Sequence, residues 1–475
     1  MPLREMIILK TKVQLLLVLI GHLCSAGTLN MSFDTQFGRI LETASRSQLY
    51  EFFREFPKGG ILHLHSEYAV SPEFWLKIAT ADPILGGNEY FAKVREGSCS
   101  DETAKLILFV TVQRATWDHL TACEKRNFKR LKLLSVNEQD AWLKALKVDA
   151  AGGRKKFFEE IVPRLDDLWQ DPNLMLEVIP EIVKEAASEH VLYLEIQFDP
   201  TSLHDAAGHP ASTGVFIEML KKRLARPDVA AEGVTVRFQM AAYRYTADSY
   251  KEFLNAFQFV DQHRDLWVGV NLLGEEGRPG GELSRFTSTL RKMRARYDIP
   301  LALHAGELDF PGHQVHDALI LGASRIGHAV NLISDPDTML LMRHGGIPIE
   351  TSLVSNKRLE YTSDLSTHPF PLYLRAGIPM CLNTDDPGAW GGSLTDEFFL
   401  AATLYHLSWN EIASVARDSI RYAFVDQATK ARLAARLNSE LSNFETRMSA
   451  DNWRPMLSQP LNRSVFAKAY LQIDQ

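Results

Sequence analysis

A chain of 475 residues with 45% hydrophobic and 23% charged side chains has the composition of ordinary globular protein and is long enough for one large core. Its formal net charge of -7, from 52 basic and 59 acidic residues, argues against a nucleic-acid backbone as the main partner. Neither a P-loop nor a dinucleotide fingerprint is present, so P-loop hydrolysis and hydride transfer have no support.

The N-terminus reads as a secretory signal over residues 1–26. Arg4, Lys10 and Lys12 supply a positive region, Val13 to Ile20 is an almost purely apolar core, and Cys24-Ser25-Ala26 offers small residues for cleavage after Ala26. The apolar run is too short to span a bilayer; a lipidated Cys24 stays open as another form of export. Removing the signal leaves the mature chain near -9. With no second apolar stretch of spanning length, stable membrane insertion is not expected, and the mature protein should be secreted, or periplasmic in a bacterium.

Residues 27–57 are expected to form a helical segment ahead of a barrel domain over 58–455, with residues 456–475 as a C-terminal tail. Gly60-Ile61-Leu62-His63-Leu64-His65 is an apolar run carrying two histidines at spacing two, which puts both imidazoles on one face of a strand. The rhythm of strands and helices then breaks between about 80 and 153, which fits an insertion. Within it Cys99 and Cys123 share a polar stretch and could bridge in an oxidising compartment. Lys125, Arg126, Lys129, Arg130 and Lys132 read as a solvated helix face. Further strands are expected at Val191–Phe198, Val234–Ala241, Trp267–Leu273, Leu301–His304, Arg325–Gly327, Ile347–Glu350 and Pro379–Asn383. Amphipathic helices lie between them at Asn173–Ala187, Gly214–Leu224, Asp248–Val260, Glu282–Tyr297 and Asp337–His344, and Thr395–Ala450 looks helical. Strands alternating with helices predict an α/β fold, a (β/α)8 TIM barrel with an inserted subdomain after the first strand and extra C-terminal helices. Cys381, in the apolar run of the last strand, reads as a buried, inert thiol.

Candidate chemistry collects at the strand ends. His304-Ala305-Gly306-Glu307 follows one apolar run and Asp385-Asp386 follows another. Taken singly, His-x-His is more often a structural pair and Asp-Asp-Pro a turn. Together and in this order, His63, His65, His304 and Asp385 offer three imidazoles and a carboxylate for one divalent, zinc-like ion. Glu307 beside them is placed to move protons.

These segments resemble the adenosine deaminase family of metal-dependent amidohydrolases. The likeness runs through Pro57-Lys58-Gly59-Gly60-Ile61-Leu62-His63-Leu64-His65, Tyr193-Leu194-Glu195-Ile196-Gln197-Phe198 and Gly269-Val270-Asn271-Leu272-Leu273-Gly274-Glu275-Glu276. It continues through His304-Ala305-Gly306-Glu307, Arg325-Ile326-Gly327-His328, Ile349-Glu350-Thr351-Ser352-Leu353-Val354-Ser355-Asn356 and Thr384-Asp385-Asp386-Pro387. The extracellular, growth-factor-type branch is the most similar, since its members carry a disulfide-linked insertion where Cys99 and Cys123 lie. The resemblance implies one zinc per subunit, and a secreted enzyme converting adenosine or 2'-deoxyadenosine to inosine and ammonia. It gives His328 the task of orienting and deprotonating the attacking water, and Glu307 that of protonating purine N1. Asp386 would contact N7, the Gly274 N–H would contact N3, and Glu67 would meet the ribose.

Two departures bear on the substrate. Ser66 stands where the growth-factor-type branch tends to have an Asp, which makes Glu67 the stand-in, and Asn271 stands where an Asp is common. Another 6-aminopurine or a modified nucleoside therefore stays open. The cysteine-ligated class of zinc deaminases is excluded because no Cys-x-x-Cys exists. A rival of another class is an extracellular signalling or binding protein that meets a cell-surface partner through the insertion. The expected partner is a small-molecule purine nucleoside, with a homodimer left open.

Overall fold

The computed structural model describes residues 33–97, 99, 106–148, 153–246, 248–308, 314–449, 453–457 and 463–473. The expected signal segment 1–26 lies outside the described residues. Strand β1 (Gly59–Ile61) opens the barrel. Then β2 (Tyr90–Lys93), β3 (Thr111–Gln113) and β4 (Phe128–Arg130) form a separate three-stranded antiparallel sheet within the insertion. The barrel resumes with β5 (Val191–Gln197), β6 (Thr235–Tyr243), β7 (Trp267–Leu273), β8 (Leu301–Ala305), β9 (Arg325–His328), β10 (Ile349–Thr351) and β11 (Met380–Leu382). Each barrel strand pairs in parallel with the next, and helices cover the outside. Strands covered on both faces need little polar alternation, and every residue of β5 and β8 is buried.

The barrel is a (β/α)8 TIM barrel, and its last seam is closed beyond the strand ends. His65 N–H donates to the Asp385 carbonyl at 3.1 Å and Asp385 N–H to the His63 carbonyl at 3.2 Å. Strand β1 is shorter than the sequence predicts because the Leu62 and His63 N–H groups turn to the Asn383 side-chain carbonyl, at 2.7 and 3.1 Å, instead of to a ladder. The wall is thus pinned shut through residues that also carry the candidate chemistry.

The insertion has its own small core of Phe91, Val110 and Val112. Cys99 and Cys123 are disulfide-bonded there, with Cα atoms 5.9 Å apart. The basic run beside them is not a helix face. Lys129 and Arg130 lie on β4, and Lys132 in the turn after it, where they pair with Glu138, Glu89 and Asp82.

The helical region after Leu394 divides into Leu394–Tyr405, Trp409–Arg421 and Gln427–Met448. Ser408 and Glu411 form a capping box that starts the second, and Asp426 caps the third. The third helix buries Leu433, Leu437, Leu441, Phe444 and Met448, a stripe at three- and four-residue spacing. An aromatic cluster ties these helices to the N-terminal ones, residues 33–43 and Arg46–Glu55. Phe52 meets Phe444 at 4.8 Å between ring centroids and Phe56 meets Phe398 at 5.1 Å. Offset and edge-on aromatic contacts of this kind add to the burial they bring. In the tail, Phe466 and Ile473 are buried, and the Ser47 hydroxyl donates to the Ile473 carbonyl. Among the described residues no helix is long and apolar enough to cross a membrane.

Candidate active site

All the chemistry-bearing residues read from the sequence lie at the C-terminal ends of the barrel strands, the end where such barrels build their sites. One ligand atom each from His63, His304, His328 and Asp385 lies within 4.8 Å of the others, and the same holds for His65, Asp385 and Asp386. His65 Nε2 stands 3.1 Å from Asp385 Oδ1. His63 Nε2 is buried and makes no hydrogen bond. An orphaned imidazole nitrogen among buried nitrogen and oxygen donors fits a divalent cation of zinc type.

Local backbone geometry serves the cluster. His328 (φ 66°) and Asp385 (φ 60°) hold left-handed conformations that residues with a Cβ rarely adopt. Each comes directly as a strand gives way to a loop, so the turn aims the side chain inward. Gly306 (φ 76°) provides the turn between His304 and Glu307. The Glu276 carboxylate receives the Gly306, Glu307 and Leu308 N–H groups at 2.8, 2.7 and 2.9 Å.

A further layer of side chains fixes the imidazoles. His63 Nδ1 is 2.9 Å from Glu350, which is paired with Arg325. His304 Nδ1 is 3.0 Å from Asn271 Oδ1, so Asn271 sits behind a histidine and does not line the cavity. The His328 Nδ1 meets the Asn356 amide at 3.0 Å. The Ser355 hydroxyl donates to Asp385 at 2.6 Å. Ser355 and Asn356 ride on one short helix, Leu353–Arg358, whose first N–H groups are held by the buried Glu397 carboxylate. The sequence reading assigned no role to Glu276, Glu350, Ser355, Asn356 or Glu397. The available signal was their position: Glu350 inside an apolar strand, Glu276, Ser355 and Asn356 shortly after one, and Glu397 within an otherwise apolar helix.

Beside the cluster lies a narrow cavity of about 70 Å³. Its wall is largely aromatic, with Tyr68, Phe157, Phe158, Tyr243 and Tyr361 among the contributors. Its polar groups include Glu67, Glu307, Asp386 and Gly274. A few polar groups in an apolar wall are what a small-molecule site requires. Gly274 has φ 110°, and a Cβ added there would come within 2.5 Å of the Tyr245 ring. Ser66 is fully buried and does not line the cavity.

Burial and like charge shift the titrating groups in directions that suit acid–base work. Burial, with the Glu276 and Asp385 charges nearby, pushes the Glu307 carboxyl up to about 8. Burial, together with Asp385, holds Asp386 well above the usual carboxylate range. Burial also raises Glu67. The same burial depresses two of the imidazoles, His328 to about 4 and His304 well below its ordinary value, whereas burial of His63 is outweighed by Asp385 and Glu350, which push it up to about 10. The arrangement therefore offers His304 and His328 as neutral imidazoles beside Glu307, which keeps its proton near neutral pH, and Asp386, whose carboxyl is shifted in the same direction. One oxygen of each, Glu307 Oε2 and Asp386 Oδ1, is buried without a partner.

Comparison with known proteins gives the same direction. The family model described as adenosine deaminase matches residues 138–440. The adenosine deaminase of Erwinia tasmaniensis is 30% identical over 258 residues, 54% of this chain and 75% of that protein. The N6-methyl-AMP deaminase of Bos taurus is 27% identical over 290 residues, 59% of this chain and 81% of that protein. The structure of an amidohydrolase with bound Zn from Burkholderia ambifaria superposes with a TM-score of 0.62 at 19% identity, covering 85% of this chain and 95% of that one.

Proposed function

The chain belongs to the adenosine deaminase family, and from that premise we propose that it hydrolyses adenosine or 2'-deoxyadenosine to the inosine form and ammonia. The family match supports a hydrolytic deaminase of adenosine-like substrates. One observation carries the choice of a nucleoside over a nucleotide. Among the described residues lining the cavity there is no Lys or Arg, while Glu67 and Asp386 face into it. A 5'-phosphate would meet carboxyls inside the cavity, and Arg278, over the Tyr245 ring, and Arg154 are both already paired with Glu275.

In this reading His63, His65, His304 and Asp385 hold one zinc ion. When bound, zinc supplies hydroxide at neutral pH by lowering the pKa of water to about 7. Glu307, which keeps its proton to about 8, donates to purine N1 and makes C6 more electrophilic. Asp386, whose carboxyl burial shifts toward the protonated form, would donate to N7, a nitrogen that can only accept. The Gly274 N–H meets N3, and Glu67 accepts from the ribose hydroxyls. The aromatic wall excludes water and fixes the ring plane so that C6 faces the nucleophile. His328 orients the attacking oxygen and stabilises the charge that develops on it.

Ammonia release from adenosine, AMP, N6-methyl-AMP and adenine, each with and without a chelator, tests the proposal. Chelator-sensitive release that favours adenosine supports it. A preference for either nucleotide would overturn the nucleoside reading and leave the deaminase chemistry.

We also infer export and a place in the growth-factor-type branch, from the charged and apolar pattern of residues 1–26 and from the bonded Cys99–Cys123 pair. N-terminal sequencing of protein recovered from the medium or periplasm should begin after Ala26. A cell-surface partner for the insertion, and a homodimer, belong to the same proposal.

A further inference from the structure

We propose that Asn356 and His368 hold His328 as its Nε2–H tautomer, so that it enters the site as a hydrogen-bond donor and neither binds the metal nor takes a proton there. The inference rests on the metal-site reading above. A neutral imidazole carries one ring proton, and the partner of one nitrogen decides what the other presents. The buried hydrogen-bond partners decide this for His63, His304 and His328.

For His63, Nδ1 meets Glu350, a carboxylate paired with the Arg325 guanidinium and therefore only an acceptor. The proton sits on Nδ1, and Nε2 is left for a ligand bond. His304 reaches the same state by a longer route. One end of the Gln239 amide is 2.9 Å from the Leu62 carbonyl and 2.9 Å from Glu195, both acceptors, so that end is the NH2. Its carbonyl then accepts from the Asn271 NH2 at 2.8 Å, which turns the Asn271 carbonyl toward His304 Nδ1. Again Nδ1 carries the proton, and Nε2 is free to bind.

His328 comes out the other way. The Phe370 backbone N–H donates to His368 Nδ1 at 3.1 Å, so that nitrogen bears a lone pair and the His368 proton must be on Nε2. The Asn356 amide lies 2.9 Å from His368 Nε2 and 3.0 Å from His328 Nδ1. With its NH2 toward His368, two N–H groups would stand head to head. Which end of an amide is oxygen is decided by its neighbours. A half-turn about the Cβ–Cγ bond keeps both distances, gives the carbonyl to His368 and points the NH2 at His328 Nδ1. That nitrogen must then accept, which leaves the His328 proton on Nε2. The surroundings of Nε2 permit this: the Asp385 carboxylate lies 4.0 Å away, and the Glu307 carboxyl, 3.4 Å away, still offers its carbonyl oxygen as an acceptor when it is protonated. A nitrogen that bears a proton cannot coordinate a cation. His328 can donate to an oxygen that gains negative charge during attack, but the proton-accepting task that the family resemblance implies does not suit this tautomer.

The test is nuclear magnetic resonance of protein labelled with 15N in its histidine rings, metal-free and zinc-loaded, with His328→Gln identifying the signal. The ring nitrogen that bears a proton and the one that does not resonate far apart, and their couplings to the ring hydrogens tell Nδ1 from Nε2. We expect the His328 proton on Nε2 in both samples; a proton on Nδ1 overturns the proposal. Asn356→Asp puts an acceptor-only group against Nδ1, so the two His328 signals should exchange places. An unchanged tautomer in that variant would remove Asn356 as the determinant. If the variant does not fold, the wild-type spectrum still decides. Failure of the wild-type protein to bind zinc would sink the metal reading, whereas the tautomer is judged on the metal-free spectrum.

Discussion

Glu307 and Glu67 are both buried acids facing the cavity, yet their substitutions should read out differently. Glu307 is cradled at its backbone by Glu276 and keeps its proton to about 8, which makes it the acid of the site. Glu307→Gln preserves the shape and removes the transferable proton. Turnover of adenosine should fall about 10²- to 10⁴-fold, the usual worth of a positioned acid, and bound zinc, measured by elemental analysis, should be unchanged. Loss of the metal in that variant would mean that Glu307 is part of the ligand set. Glu67 is not among the described residues grouped to hold the ion. Glu67→Ala should therefore raise KM for adenosine about tenfold, the cost of one lost hydrogen bond to a charged group, and change kcat little. If adenine, which lacks the ribose, were affected as strongly as adenosine, Glu67 would not be the sugar contact.

At the scale of elements, the strand ends were legible because an apolar run that stops at a histidine or an acid is a strong local pattern. Leu301–Ala305 and Arg325–His328 were readable in this way, and so were the histidines they carry. The supporting residues were not. Asn271 looked like a change in substrate recognition, but its partner is His304, 33 positions away, and only the adjacency of β7 and β8 brings them together. Glu276 likewise acts on a loop 30 residues on, and no local pattern announces it. Short strands were misjudged at their ends because Asn383 takes N–H groups that a ladder would otherwise use. The insertion is a more independent element, with its own small core and a disulfide closing 24 residues of chain. Replacing Cys99 and Cys123 together by Ser should lower its stability by roughly 3 kcal/mol on the chain-entropy estimate for a loop of that length. The insertion should then be cut early in limited proteolysis, with deamination retained by the intact barrel. Equal loss of activity and protection would mean that the insertion and the barrel fold as one unit.

The whole molecule is drawn together at Asp396. This residue lies in the first turn of the helix Leu394–Tyr405 and is fully buried. Tyr50 of the N-terminal helix donates to it at 3.1 Å, and Ser464 of the C-terminal tail at 3.0 Å. The helix Arg46–Glu55, the segment at Ser464 and the barrel's outer helix Leu394–Tyr405 therefore meet on one carboxyl. Burial, joined by the charge of Glu189, raises that carboxyl to about 7, although the surrounding hydroxyls oppose the shift. In the unfolded chain an Asp titrates near 3.9. Between those values the folded protein holds a proton that the unfolded chain has released, so stability falls as pH rises. The contribution is fully present below about pH 4 and is lost as pH climbs through about 7, with a slope of up to about 1.4 kcal/mol per pH unit. Asp396→Asn keeps a neutral group of the same shape with hydrogen-bonding capacity. Denaturant unfolding between pH 4 and 8 should show a steeper decline in the wild-type protein than in the variant. The two curves should diverge above pH 4 and run parallel beyond pH 7. Parallel curves across the whole range would show that Asp396 is ionised in the folded protein and that this junction tolerates a buried charge.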